Sequence, residues 1–189
     1  MLKKIALAAI MAEVSLLAHT GHGTVSGFGA GFSHPIGGAD HILAMIAVGL
    51  WASQMGGRAL WAVPLSFVTM MVAGAAMGIQ GFQVPFIEEG ILGSVLVLGA
   101  LIGFGVKMPV AFSAAIVGLF AIFHGTAHGA EMPLNAAGVE YAAGFVLATA
   151  MLHIGGIAIG AVMHKLSETK ASKVAGGAIA ASGLALILS

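Results

Sequence analysis

The chain contains no cysteine among its 189 residues. This absence excludes disulfide bonds, zinc sites built on cysteine and iron–sulfur clusters. Any metal site in the chain must therefore be built from imidazole, carboxylate or thioether groups.

Charged residues are also scarce. They make up 7% of the chain, whereas a soluble domain carries about 25%. Hydrophobic residues account for 59%, and the mean hydropathy is +1.06. The sequence therefore predicts an integral membrane protein that forms one compact unit in the lipid bilayer, with no room for a soluble catalytic domain. The net charge is zero and the seven Lys and Arg residues are scattered, which excludes nucleic acid as a partner.

The sequence also lacks the motifs of nucleotide chemistry. No GxxxxGK[ST] stretch is present, so the chain is not expected to hydrolyse a nucleotide itself. Nothing in the sequence indicates an organic cofactor.

The amino-terminal segment reads as a secretory signal over residues 1–18, followed by a single transmembrane domain over residues 19–189. Two lysines precede an apolar run from Ile5 to Ala18. Fourteen helical residues span about 21 Å, which is short of a hydrocarbon core of about 30 Å. That length favours a cleavable signal. Glu13 and the bulky Leu16 argue against cleavage after Ala18, so a retained short helix or interfacial anchor is the alternative.

Six longer apolar runs predict an all-α membrane protein, a bundle of six transmembrane helices. A broken, Gly-rich segment precedes the first full span. Pro35 disfavours helical geometry at His34, and Gly37 and Gly38 loosen the backbone further. Irregular backbone at membrane depth is tolerated only where protein or a wet cavity surrounds it, so the break is itself a candidate site. The predicted spans are 39–54, 60–79, 86–106, 110–128, 136–163 and 172–188.

Pairs of glycines four residues apart recur within these runs. Small residues at this spacing let transmembrane helices approach closely, so we expect close helix packing at each pair. The pairs are Gly74/Gly78, Gly99/Gly103 and Gly156/Gly160.

The basic residues predict the orientation. Loops on one side of the predicted bundle carry all the Lys and Arg residues beyond the signal, and the opposite loops hold Glu88, Glu89 and Glu131 with no Lys or Arg. Because cytoplasmic loops are enriched in Lys and Arg, the mature amino terminus is expected outside the cytoplasm. The basic residues in question are Arg58, Lys107, Lys165, Lys170 and Lys173.

Two clusters of histidines and carboxylates lie beside the predicted spans, both on the extracytoplasmic side. Ionisable groups are costly in hydrocarbon and usually mark a functional site. All of these side chains are types that bind first-row metal ions. A purely structural role is harder to accept for two such clusters than for one isolated histidine. The candidate metal ligands are His34, Asp40 and His41 in the first cluster, and His124, His128 and Glu131 in the second.

Spacing constrains the second cluster. His124 and His128 are four residues apart, so on a helix they share one face. Glu131 would fall on that face too, although Gly129 and Pro133 favour a helix end nearby, with Glu131 returning from a loop.

Asp40 and His41 are adjacent and would point about 100° apart on a helix. They do not readily share one ion unless the break at the two glycines places them unusually. The alternative is that the Asp40 carboxylate orients an imidazole that binds the metal.

Four further residues are weaker candidates. His19 and His22 would follow the cleavage point, where the free amine and two imidazoles could bind a metal ion. The alternative is that they belong to a flexible tail without a metal-binding role. Met45, four residues after His41, is a candidate soft ligand. His153 lies alone in the fifth predicted span, where it either relays an ion or bonds to another helix.

The residues of the first cluster carry a resemblance. The segment His34-Pro-Ile-Gly-Gly-Ala-Asp-His41, followed by Met45, Val48 and the Trp51-Ala52 pair, resembles the hallmark of the HupE/UreJ family. The segment from Phe123 to Pro133 is similar to the second motif of that family, and the resemblance covers nearly the whole chain.

Members of this family are regarded as nickel or cobalt permeases that serve hydrogenase, urease or cobalamin systems. The resemblance implies six helices, a cleaved signal and a mature terminus that begins with His. It makes His34, Asp40 and His41 the principal metal-handling residues, with His124, His128 and Glu131 second. The signal region departs from the family pattern at Glu13 and Leu16.

We therefore expect uptake of a divalent transition metal, Ni²⁺ first and Co²⁺ next, across the inner membrane of a bacterium. The ion would be the transported substrate, and intracellular metalloenzyme assembly systems would be its indirect recipients. A homo-oligomer is compatible with the sequence. The chain is not expected to be an enzyme.

Two other interpretations stay open. An intramembrane metallohydrolase shares the His-x-x-x-His spacing, but position 125 is Gly where HExxH proteases supply a general base. A metal sensor or assembly partner would bind metal without transporting it.

Overall fold

The computed structural model describes residues 27–82, 84–132, 136–165 and 169–189. The predicted signal and the candidates His19 and His22 lie outside these residues. The described residues form seven helices and no strand, which confirms the all-α prediction for this part of the chain. The helices are α1 (Phe28–Gly37), α2 (Ala39–Met55), α3 (Ala59–Ile79), α4 (Ile87–Gly103), α5 (Val110–Glu131), α6 (Ala136–Lys165) and α7 (Thr169–Ile187).

Three of these helices, α3, α5 and α6, are long and apolar enough to cross a membrane. The pair α1 and α2 adds a fourth if the two count as one bent span. Each predicted run coincides with a helix, yet the bundle of six full spans stays a prediction. Helix α4 has 17 residues, or about 25 Å, and α7 carries Lys170 and Lys173 near its start.

The backbone breaks at Gly38 and not at His34. Helix α1 continues through Pro35 to Gly37, so the expectation of a non-helical His34 is wrong. Proline holds a φ value that suits a helix. Its missing N–H and the crowding of its ring against the preceding turn are tolerated in membrane helices, where neighbouring helices and local adjustments satisfy the freed backbone groups. At Gly38 the backbone is extended, with φ −101° and ψ 127°. Helices α1 and α2 consequently meet at an angle of 83°.

Glycines bring the helix backbones together, as predicted. Helix α3 packs on α5, α4 on α7, and both α1 and α2 on α6. A Cβ at Gly74 would collide with the carbonyl of Ile122, and a Cβ at Gly156 with that of Ile46. A Cβ would also collide with backbone at Gly78 and Gly99, would lie 3.1 Å from the backbone nitrogen of Gly177 at Gly103, and would meet the side chain of Ser53 at Gly160.

Helix α2 runs through the centre of the core. Its side chains Met45, Leu50 and Trp51 are buried, and the indole N–H of Trp51 donates a hydrogen bond of 2.9 Å to the carbonyl oxygen of Val106. Phe67 of α3 and Val117 of α5 belong to the same core. The first turn of this central helix carries Asp40 and His41, so the candidate site lies at one end of the packed core.

The other end of α2 lies among basic residues. Gln54 lines a cavity of about 190 Å³ together with Lys107, His164 and Lys173. By contrast, Glu88 and Glu89 begin α4 and Glu131 ends α5. The separation of basic and acidic residues that the sequence predicts is therefore present in the packed helices.

Candidate metal centre

Three histidines from three helices converge at the amino-terminal end of α2. One nitrogen from each of His34, His41 and His128 lies within 4.8 Å of the others. The ring centroids are 5.6 Å apart for His34 and His41, 4.5 Å for His34 and His128, and 4.7 Å for His41 and His128. We call these three residues the imidazole cluster. It joins the two motifs that the sequence places far apart.

The bend at Gly38 creates half of this cluster. It turns the end of α1 back toward the start of α2, so that His34 lies beside a residue seven positions later. The space at the bend is tight. A Cβ at Gly38 would lie 2.7 Å from Asp40 Oδ1 and 3.0 Å from His41 Nδ1, whereas a Cβ at Gly37 would meet nothing within 4 Å.

The two nitrogens of His41 have different neighbours. His41 Nε2 lies 2.5 Å from His128 Nε2, and Asp40 Oδ2 lies 2.8 Å from His41 Nδ1. The latter contact is short but not aligned as a hydrogen bond, since Nδ1 has no partner of good geometry within the described residues. A nearby carboxylate still favours the tautomer with its proton on Nδ1. That tautomer leaves the Nε2 lone pair directed at the cluster.

The spacing of the cluster suits an ion after a small adjustment. Metal–nitrogen bonds of about 2.0–2.1 Å place two nitrogens on one ion about 3 Å apart. The Nε2 atoms of His41 and His128 are closer than this. Receiving an ion therefore requires the two rings to part by a few tenths of an ångström.

An aromatic wall from α6 borders the cluster. The ring of Phe145 packs against all three imidazoles, with centroid distances of 4.9 Å to His128, 5.7 Å to His34 and 6.4 Å to His41. Tyr141, one turn earlier on α6, lies 6.1 Å from His34. Apolar neighbours lower the local dielectric and strengthen the attraction between an ion and its ligands.

The helix ends also favour a cation. His34 lies three residues before the end of α1 and His128 three residues before the end of α5. The carboxyl end of a helix carries a partial negative charge. The opposing positive end belongs to α2, and Asp40 occupies its first turn. The basic residues of the described chain lie at the far ends of the helices.

His124 lies next to the cluster but deeper in the bundle. It is fully buried, and its ring centroid is 5.4 Å from that of His41. His124 Nδ1 lies 3.0 Å from the carbonyl oxygen of Phe120. Since a carbonyl only accepts, Nδ1 carries the proton, and Nε2 is left with a lone pair and no partner in the described part of the chain.

Other predicted candidates lie elsewhere. Helix α5 ends between Gly129 and Pro133, as expected, but Glu131 is its last residue and is exposed, so the expectation that Glu131 returns from a loop is wrong. Met45 is buried in the apolar core. His153 is buried against Phe67 at a centroid distance of 5.1 Å. None of these belongs to the cluster of converging ligand atoms found among the described residues.

Sequence reasoning did not single out Phe145 or Phe67. Both are apolar residues within apolar runs, and nothing in the local sequence separates an aromatic ring that touches histidine from one that touches lipid. The spacing of Tyr141 and Phe145, one helical turn apart, is the only available signal.

Comparison with known proteins gives two matches. The family model described as HupE / UreJ protein matches residues 7–186. Protein HupE of Rhizobium leguminosarum bv. viciae is 45% identical over 159 residues, which cover 84% of this chain and 83% of that protein. No solved structure matches the chain significantly.

Proposed function

The chain belongs to the HupE/UreJ family, and from this premise we propose that it transports a divalent transition-metal ion, Ni²⁺ first and Co²⁺ second, across a membrane. The observation that carries the proposal is the imidazole cluster, in which nitrogens of His34, His41 and His128 converge beside the Asp40 carboxylate.

The donor set supports an ion of intermediate softness. Imidazole suits nickel, zinc and copper, whereas magnesium and calcium prefer sites built from oxygen. Thiolate, which selects the softest ions, is absent. Three imidazoles leave coordination positions open, as in sites that exchange a ligand and unlike closed structural sites. A transporter needs this property because its ion must leave.

The distribution of charge supports uptake. The cluster lies at the acidic ends of the helices, and the basic residues lie at the opposite ends. With the basic ends in the cytoplasm, the cluster faces outward on the inner membrane of a bacterium. Moving two positive charges inward gains about 4.6 kcal/mol per 100 mV. That corresponds to roughly a thousandfold accumulation.

A catalytic role finds less support. Gly125 stands where HExxH proteases carry their general base, and a Cβ at this position would collide with the carbonyl oxygen of Met71. We therefore propose a transporter and not a metallohydrolase. Delivery of the ion to intracellular metalloenzyme assembly systems is part of the same proposal and rests on the family alone.

Metal-resolved uptake into proteoliposomes tests this function. The full chain is compared with His41→Ala and His128→Ala. His164→Ala serves as the matched control, because His164 is exposed at the opposite end of the bundle. We expect the two cluster variants to lose Ni²⁺ uptake at least about tenfold, with the control unchanged. Metal binding without flux would identify a sensor or assembly partner. Normal flux in both cluster variants would refute the assignment.

A further inference from the structure

Two histidines lie deeper in the bundle than the imidazole cluster. His124 of α5 is 0% exposed and His153 of α6 is 1% exposed. Three of their four ring nitrogens, His124 Nε2 and both nitrogens of His153, have no hydrogen-bond partner among the described residues. Buried polar atoms nearly always have one, and an unpaired polar group in an apolar interior costs free energy. An ion or a water molecule can supply the partner that these nitrogens lack among the described residues.

The lone pairs at this position suit a cation. The proton of His124 is on Nδ1, where it bonds to the carbonyl of Phe120, so Nε2 can only accept. A neutral His153 also offers one nitrogen with a free lone pair. Two accepting imidazole nitrogens are the donors that a divalent ion of intermediate softness takes.

The ring of Phe67 packs against both His124 and His153. Its ring centroid lies 5.5 Å from that of His124 and 5.1 Å from that of His153, with interplanar angles of 61° and 82°. His124 is also one helical turn from His128 on α5 and 5.4 Å from His41. The imidazoles thus form a series that leads from the cluster into the interior.

His153 lies near the middle of its span. It is about 26 Å from the Ala136 end of the helix and about 18 Å from the Lys165 end, at 1.5 Å per residue. An ionisable side chain at such depth usually marks a functional site, and ion pathways are one class of such sites. The backbones of α2 and α6 lie close together here, since a Cβ at Gly49 of α2 would collide with the carbonyl oxygen of His153.

We propose that His124 and His153 form a second, inner binding position for the transported divalent cation, which the ion occupies after it leaves the imidazole cluster. This inference rests on the proposed transport function. Two partly coordinated positions in series explain how an ion can be captured and still move on, since conduction requires binding that is weak or divided among several positions.

The first test distinguishes binding of the ion at the imidazole cluster from its transport across the membrane. Purified His153→Gln and His41→Ala are compared with the wild type for Ni²⁺ binding and for Ni²⁺ uptake into proteoliposomes. We expect His153→Gln to bind Ni²⁺ at the cluster with affinity within about twofold of the wild type, and to lose uptake by about tenfold or more. His41→Ala should lose both binding and uptake.

The outcomes distinguish the two proposals. Wild-type uptake by His153→Gln, with uptake lost in His41→Ala, would overturn the inner position and leave the transport function standing. Wild-type uptake by both variants would overturn both proposals.

A second variant covers the case in which His153→Gln does not fold. Because the chain has no cysteine, His153→Cys would carry its sole thiol. Cd²⁺ added to this variant should produce the ultraviolet absorption of a thiolate–cadmium bond. The matched control is Ala148→Cys, a fully buried position on the same helix, about 140° around the helix axis from residue 153.

Absorption in His153→Cys alone supports the inner position. No absorption, or equal absorption in both variants, overturns it, because a packing or water-binding role for His153 would give no specific metal–thiolate bond.

Discussion

His41 and His128 are 87 positions apart in the chain, yet their Nε2 atoms face each other at 2.5 Å. At most one of the two atoms can carry a proton in that contact, because two N–H groups would repel. The pair therefore keeps a lone pair directed at its partner, and a metal ion can replace the shared proton. This relationship is the basis of the first prediction.

The two histidines should act as a unit. Single His41→Ala and His128→Ala variants are each expected to weaken Ni²⁺ binding by about 10- to 100-fold. The double variant should bind little worse than either single variant, because removing one imidazole already breaks the pair. Calorimetric titration of detergent-solubilised protein measures all three. Additive losses would show that the residues bind independently.

Asp40→Asn preserves the size of the side chain and removes its charge. The carboxylate next to His41 Nδ1 favours the tautomer that presents Nε2 to the ion, so its loss should weaken Ni²⁺ binding by about 10- to 100-fold. The control is Glu89→Gln, which removes an exposed carboxylate at the start of α4. If both changes weaken Ni²⁺ binding equally, Asp40 acts only through its negative charge and not by orienting the ring of His41.

Gly38→Ala should disturb the cluster without touching a ligand. The new methyl group would press on Asp40 Oδ1 at 2.7 Å and on His41 Nδ1 at 3.0 Å. We expect Ni²⁺ affinity to fall about tenfold, a free-energy cost of about 1.4 kcal/mol. Gly37→Ala is the matched control, since a Cβ there would meet nothing within 4 Å. A control as damaging as the variant would mean that flexibility, and not space, is what this segment requires.

Gly125→Ala should destabilise the contact between α3 and α5. Its Cβ would collide with the backbone carbonyl of Met71, and overpacking of this kind costs about 1–3 kcal/mol. Gly93→Ala, where the added atom meets nothing within 4 Å, should be neutral or slightly stabilising. Thermal unfolding in detergent, followed by loss of the monodisperse peak, compares the two. Equal melting temperatures would contradict the close approach of the two helices.

Acid should weaken metal binding. An imidazole binds metal only in its neutral form, and its ordinary pKa is about 6.5. Protons therefore compete with Ni²⁺ for the cluster, and apparent affinity should decrease as the pH falls from 7.5 to 5. Titrations at fixed ionic strength across this range measure the effect. A flat profile would argue against capture by histidine.

Local sequence patterns predicted the helices, and the predicted candidate ligands include all three residues of the imidazole cluster, His34, His41 and His128. Spacing placed His124 and His128 on one face, and the glycine pairs indicated close packing. The prediction at His34 was wrong because a rule about the residue before proline ignores the neighbouring helices that hold α1 in shape. The meeting of His41 with His128 was beyond local reasoning, since it depends on how α1, α2 and α5 pack together.

The neighbourhood of Phe145 was not predictable for the same reason. Its side chain is unremarkable in the sequence, and its position beside three imidazoles follows from the packing of α1 on α6. Hydropathy also does not determine how many helices cross the membrane fully, because α4 is short and α7 carries two lysines near its start.

The lysine-lined cavity at the far end of α2 has a consequence for direction. A doubly charged ion that arrives beside Lys107 and Lys173 meets electrostatic repulsion, whereas at the opposite end it meets Asp40. Under the proposed function, this difference in charge favours movement of the ion from Asp40 toward the lysines over movement in reverse, because an ion that re-enters from the lysine end has to pass fixed positive charge.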